Sequence, residues 1–170
     1  MKRNLAAAAA AIAACAFVAP VAAQSVAGSF GKGRTHFVAT VGTGYAFDES
    51  YLVIGVGASY YVIDGLNVGL LLESWSGSDP KLTKITPSVQ YVFYQMQPVK
   101  PYVGAFYRRT NIDGRADLDS VGGRAGVYIQ AGRNVYLGAG AVYESYLDCE
   151  TSVYRKCDST YAEFNLTFAF

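Results

Sequence analysis

The chain has one histidine, one tryptophan, three cysteines and almost no net charge in 170 residues. Each scarcity removes a class of function. A single His36 far from Cys149 and Cys157 does not make a zinc set, which gathers four ligands, so no metal is expected. The 14 basic and 13 acidic residues nearly cancel, leaving none of the surplus that gathers phosphate charge, so nothing points to nucleic acid. Paired glycines occur at Gly42/Gly44, Gly55/Gly57 and Gly138/Gly140, but none runs on to the third glycine and helix of a nucleotide loop. No cofactor is implied, and the length fits one domain.

What is present starts with an export pattern. Lys2 and Arg3 precede an apolar, alanine-rich run from Leu5 to Ala23 that ends in Pro20, Val21, Ala22 and Ala23 before Gln24. Residues 1–23 therefore read as a cleaved signal peptide. Pro20 and the polar flank after it fit cleavage better than a retained membrane anchor. Ile12, Ala13, Ala14 and Cys15 also form a box like those processed in lipoproteins, which would leave Cys15 lipidated; the mass of the mature N-terminus separates the two. Residues 24–34 are short, polar and glycine-rich and read as a flexible leader. Export places Cys149 and Cys157, close together in a polar segment, in an oxidising compartment. A disulfide between them is expected, contributing about 2 to 3 kcal/mol at most.

From residue 35 to 170 polarity alternates with a period of two, the mark of a β-strand. Eight segments follow: His36–Phe47, Leu52–Val62, Leu66–Trp75, Lys84–Gln95, Tyr102–Thr110, Ser120–Gln130, Val135–Tyr146 and Tyr161–Phe170. Each is about as long as a tilted strand needs to cross a bilayer. Short connections at Asp64-Gly65, Met96–Val99 and Gly132-Arg133 alternate with long polar ones at Ser76–Thr83, Asn111–Asp119 and Asp148–Asp158; only Asp48–Ser50 is brief where a long one belongs. Pro87 lacks a ladder donor, which predicts a bulge or a local break.

The two faces differ in kind. In the last segment Ala162, Phe164, Leu166, Phe168 and Phe170 share one face, opposite Tyr161, Glu163, Asn165 and Thr167. Extending the apolar rows along the chain puts Glu73, Arg108, Arg124, Glu144 and Glu163 on the other side throughout. If the apolar rows meet lipid, those charges line a lumen; the reverse phase would cost about 2 to 4 kcal/mol for each arginine near the bilayer midplane. Most strand glycines share the charged face, with Gly123 the exception, and make room inside a narrow barrel. Arg108 and Arg124 are expected to pair among the three glutamates, as a packed polar core or as a gate for small solutes. Tyr45, Tyr51, Tyr107, Tyr143 and Tyr146 at one end, and Tyr60, Tyr91, Phe93, Phe168 and Phe170 at the other, suggest interfacial girdles. Trp75 is expected with the first set, although its phase points it inward.

The terminal Phe170, with Phe164, Leu166 and Phe168 at every second position before it, resembles the C-terminal strand by which the bacterial assembly machinery recognises outer-membrane barrels. With Pro101-Tyr102-Val103-Gly104-Ala105 and Phe168-Ala169-Phe170, residues 35–170 resemble the OmpA/OmpX-type small barrel family. The resemblance implies an all-β, eight-stranded antiparallel up-and-down transmembrane barrel in the bacterial outer membrane, with both termini periplasmic and the long loops extracellular. It implies outer-membrane lipid, lipopolysaccharide and the assembly machinery as partners, and a monomer. Small barrels that act on lipid A use a His with a nearby Ser, whereas His36 lies at the periplasmic start of the first strand beside Val38. It is expected to be a surface histidine without a role, and the protein not to be an enzyme. A structural, envelope or surface-interaction role follows, with the loop charges Asp113, Arg115, Asp117, Asp119, Glu150, Arg155 and Lys156 either binding a partner or simply solvated. A narrow channel is the alternative. A soluble lipocalin-like barrel is a third possibility, and it would need the apolar rows inside.

Overall fold

A computed structural model describes residues 27–46, 49–147 and 157–170, excepting the side chains of 42–46. The signal segment 1–23, Cys15, Cys149, Glu150, Arg155 and Lys156 lie outside the described residues, as does the side chain of Tyr45. Eight strands appear: β1 (Thr35–Ala46), β2 (Glu49–Ile63), β3 (Leu66–Ser76), β4 (Leu82–Val92), β5 (Val99–Ile112), β6 (Leu118–Gly132), β7 (Val135–Tyr146) and β8 (Asp158–Ala169). Each pairs antiparallel with its sequence neighbours, and β1 meets β8 to close a barrel. Closure from His36↔Ala169 to Ala39↔Leu166 pairs part of the two edges that an eight-stranded open sheet would expose.

Local chemistry sets the connections. Asp64-Gly65 reverses the chain between β2 and β3, with Gly65 at φ 81°, a backbone region costly for any residue with a Cβ. The turns at 64–65, 93–98 and 133–134 lie at one end together with both termini of the barrel; the connections at 77–81 and 113–117, and the strand ends Ala46, Glu49, Tyr146 and Asp158, lie at the other. Below, these are the turn end and the loop end.

The side-chain distribution is inverted relative to a water-soluble protein. Leu52, Ile54, Val56, Leu70, Leu72 and Val103 are exposed, whereas Asn67, Glu73, Lys84, Arg108, Ser120 and Glu144 are buried. The period of two carries this inversion around the whole ring. Two apolar clusters bracket the polar interior. Phe30, Tyr61, Val92, Tyr102, Tyr128, Tyr136 and Ala169 form a floor at the turn end. Tyr51, Leu82 and Ile112, with Trp75 and Leu118 against them, form a lid at the loop end.

At Pro87 the expected local break is found, without a bulge: Pro87 pairs with Leu70 of β3, and pairing of β4 with β5 lapses between Ile85↔Arg109 and Ser88↔Phe106 and resumes in the same register. The lapse falls where proline has no N–H to give. Residues 27–34, part of the stretch expected as a flexible leader, are packed onto the barrel. Gly28–Phe30 form a 3-10 turn that seats Phe30 in the floor at 1 % exposure, and Gly33 N–H donates to the Tyr61 carbonyl while Tyr61 N–H donates to the Arg34 carbonyl, both at 2.9 Å. An aromatic side chain outweighs the glycine-rich composition once a ring-lined cup exists to receive it.

His36 is likewise buried rather than on the surface. Its Nε2 donates to the Ser29 carbonyl at 2.7 Å, and its ring packs against Tyr61 and Phe30. Tyr51 and Trp75 turn into the lid instead of joining an outer girdle, because their positions share the inward phase. Tyr60, Phe93, Phe170, Tyr107 and Tyr143 do face outward near the two rims.

Candidate functional site

The polar layer between floor and lid is built by the inward positions of successive strands. Arg108 is its hub. Its Nη1 donates to Glu144 Oε2 and to the Tyr161 hydroxyl, each at 2.7 Å, and its Nε donates to Thr86 Oγ1 at 3.0 Å. Its Nη2 lies 3.6 Å from Glu73. Glu144 also accepts from Ser120 Oγ at 2.5 Å and from the Tyr161 hydroxyl at 2.9 Å. One side chain from each of β3 to β8 thus enters a single network, which ties opposite walls together. Burying charge without partners is costly; here Arg108 and Glu144 are each held by several partners, while Glu73 Oε2 meets Arg108 only at ion-pair distance and accepts no hydrogen bond among the described residues.

A second pair lies apart from the first. Arg124 Nη1 is 3.4 Å from Glu163 Oε2, and the Tyr102 hydroxyl donates to Glu163 Oε1 at 2.8 Å. Phe106 stands between the two centres, with the Arg108 and Arg124 guanidinium carbons 4.9 and 5.0 Å from its ring centre. Tyr102 reaches Glu163 only because Gly126 and Gly140 lie beneath its hydroxyl; a Cβ at either would sit 2.6 Å from that oxygen. The five lumenal charges expected from the sequence therefore fall into two groups: Arg108 with Glu73 and Glu144, and Arg124 with Glu163.

Lys84 was not among them. It is buried, with its Nζ 3.5 Å from the Trp75 ring centre, and its even-numbered position on the face of Thr86, Ser88 and Gln90 was the available signal. Tyr161, Ser120 and Tyr102 were legible only as polar or aromatic inward positions, not as partners of named charges. Gln90 Nε2 donates to the Tyr128 hydroxyl at 3.1 Å, joining the polar layer to the floor.

A cavity of about 670 Å³ occupies this layer, walled on one side by Val38, Val53 and Leu71 and on the other by the charged residues. Among the described residues no cluster of His, Cys, Asp or Glu is suited to a metal ion. Phe164, Leu166 and Phe168 face away from the lumen, and the Phe170 ring meets Phe37 edge-on at 5.6 Å beside the β1–β8 junction. Cys157 is disulfide-bonded, and Cys149 lies outside the described residues.

No protein-family model and no curated protein matches the sequence. Solved structures do match. The N-terminal β-barrel domain of Pseudomonas aeruginosa OprF aligns with a TM-score of 0.64 at 19% identity, covering 82% of this chain and 99% of that one. Neisserial surface protein A aligns with a TM-score of 0.52 at 21% identity, covering 80% of this chain and 94% of that one. The chain has the fold of the small eight-stranded outer-membrane β-barrels.

Proposed function

We propose that the protein is an integral outer-membrane β-barrel that contributes to the envelope or presents its loops to the exterior, with the lumen serving as its structural core. The carrying observation is the inversion of the two faces. A monomer in water rarely exposes a contiguous apolar patch of more than a few hundred Å², yet here an apolar belt surrounds a buried set of Arg, Lys and Glu. A lipocalin-like barrel would require the opposite. The turn end and both termini then face the periplasm, the loops face outward, and Phe164, Leu166, Phe168 and Phe170 serve as the assembly signal. Residues 1–23 are the cleaved export signal, and Cys149 pairs with Cys157 in the last outer loop. Lipopolysaccharide headgroups are the surface partner that the mixed loop charges suit, and the barrel is a monomer. No catalytic role is assigned to it.

Cell fractionation tests this. The protein should need detergent for release and run at a different gel position when boiled; recovery in the periplasmic wash would overturn the proposal.

A narrow channel is the second reading, favoured by the lumenal cavity. The Phe30 floor and the Arg108 network both lie across an axial path, so conduction would require each to move. In planar bilayers, altered conductance in an Arg124→Ala variant would support gating, whereas a baseline trace for both proteins would assign these charges to packing.

A further inference from the structure

The junction of β1 and β8 is paired over only part of its length. Ladder pairs run from His36↔Ala169 to Ala39↔Leu166. Beyond them the same register would set Thr40 against Asn165 and Val41 against Phe164, but among the described residues no pair forms there. Both strands remain ordered on their other sides, β1 pairing with β2 out to Ala46↔Glu49 and β8 with β7 out to Ser145↔Asp158. Val41 and Phe164, on the outer face of this opening, are 77% and 72% exposed.

The lumenal cavity reaches the opening. Its wall includes Thr40, Glu163 and Asn165, whose positions face inward, and also Val41, Ala162 and Phe164, whose positions face outward at the unpaired edges, besides outward Ala58 and Leu70 of the paired β2 and β3. A slot therefore connects the polar interior with the surrounding medium at the level where β1 and β8 separate. Backbone edges left unpaired in hydrocarbon are strongly disfavoured, so the slot suits a guest that brings hydrogen-bonding groups to those edges.

Charge and donor inventory narrow the guest. The charged residues on the cavity wall are Glu73, Glu144 and Glu163 against Lys84, Arg108 and Arg124, a balance that offers no net attraction to an ion. Three buried atoms on the same wall have no hydrogen-bond partner among the described residues: the donors Arg124 Nε and Trp75 Nε1 and the acceptor Glu73 Oε2. Val38, Val53 and Leu71 supply an apolar patch on the same wall. We infer that the slot between β1 and β8 binds an uncharged single-chain amphiphile whose head carries hydrogen-bond acceptors together with a hydroxyl donor, such as a glycerol ester, entering from the bilayer. The inference rests on the membrane reading above.

Trp75 is the single tryptophan in the chain and lines this cavity, so its fluorescence reports occupancy. With the protein in phosphatidylcholine vesicles, a monoacylglycerol brominated on its chain should quench Trp75 saturably. The equally long brominated fatty acid and alkylammonium should half-saturate at concentrations about tenfold higher, and Thr40→Leu/Asn165→Leu should weaken the acylglycerol by about tenfold while keeping heat-modifiable migration. If that double variant does not fold, Thr40→Val is measured for a shift in the same direction. Quenching that rises linearly without saturation, equal binding of a charged analogue, or cross-linking of two copies through the slot would each overturn the site. Failure to partition into vesicles would overturn the membrane reading as well; partition without saturable quenching overturns the amphiphile site alone.

Discussion

Arg108 and Glu144 meet at 2.7 Å in the middle of the barrel, with side-chain exposures of 6% and 1%. Arg109, the next residue along, turns outward and pairs with Asp117 at 2.8 Å, with exposures of 52% and 39%. The strand period thus places two arginine–carboxylate pairs of similar length in opposite settings. Glu144→Ala should cost about 3 to 5 kcal/mol, because Arg108 is left buried beside a weaker partner. Asp117→Ala should cost under about 1 kcal/mol. Urea unfolding from vesicles measures both, and equal effects would show that burial does not govern the Arg108 pair.

Gly140→Ala places a methyl group 2.6 Å from the Tyr102 hydroxyl and from the Ala125 carbonyl. Tyr102 must then withdraw from Glu163, with a loss of about 1 to 3 kcal/mol from overpacking. Gly114→Ala, where a Cβ meets nothing within 4 Å but φ is 73°, should cost about 1 kcal/mol from the backbone alone. Unfolding midpoints that rank the two in the opposite order would refute the crowding account of the lumenal glycines.

Val103 is an outward position near the middle of β5. Val103→Arg should destabilise insertion into vesicles by about 2 to 4 kcal/mol. The same change would be mild on a face bathed by water, so folding in lipid and in its absence discriminates directly.

Phe30→Ala empties the centre of the floor, and Phe-to-Ala changes in a packed site cost about 3 to 5 kcal/mol. The loss should fall on residues 27–34, seen as proteolytic cleavage there while the strands stay protected. Cleavage spreading equally into β1 would mean that the segment and the barrel are one cooperative unit.

The strands and their phase were legible because each is a local alternation that can be read ten residues at a time. Glu73, Arg108, Arg124, Glu144 and Glu163 took their side of the wall from the same parity. Which acid meets which arginine was not legible, since Arg108 and Glu144 are brought together by strand stagger, a property of the closed ring. Phe30 and His36 escaped for a similar reason. The cup around them is assembled from Tyr61, Tyr128 and Tyr136, and no window along the chain holds both the ring and its receptacle. Lys84 and Trp75 are different: the phase of each is visible in the sequence and points inward, and for Trp75 alone the preference of tryptophan for a membrane rim points the other way.

The floor that holds Phe30 is drawn from β2, β4, β5, β6, β7 and β8, although Phe30 itself precedes all of them. The full seat for the earliest described part of the chain therefore exists only when the final hairpin has arrived and the circle is complete. A probe at that one benzyl group would report on the finished ring rather than on any single hairpin.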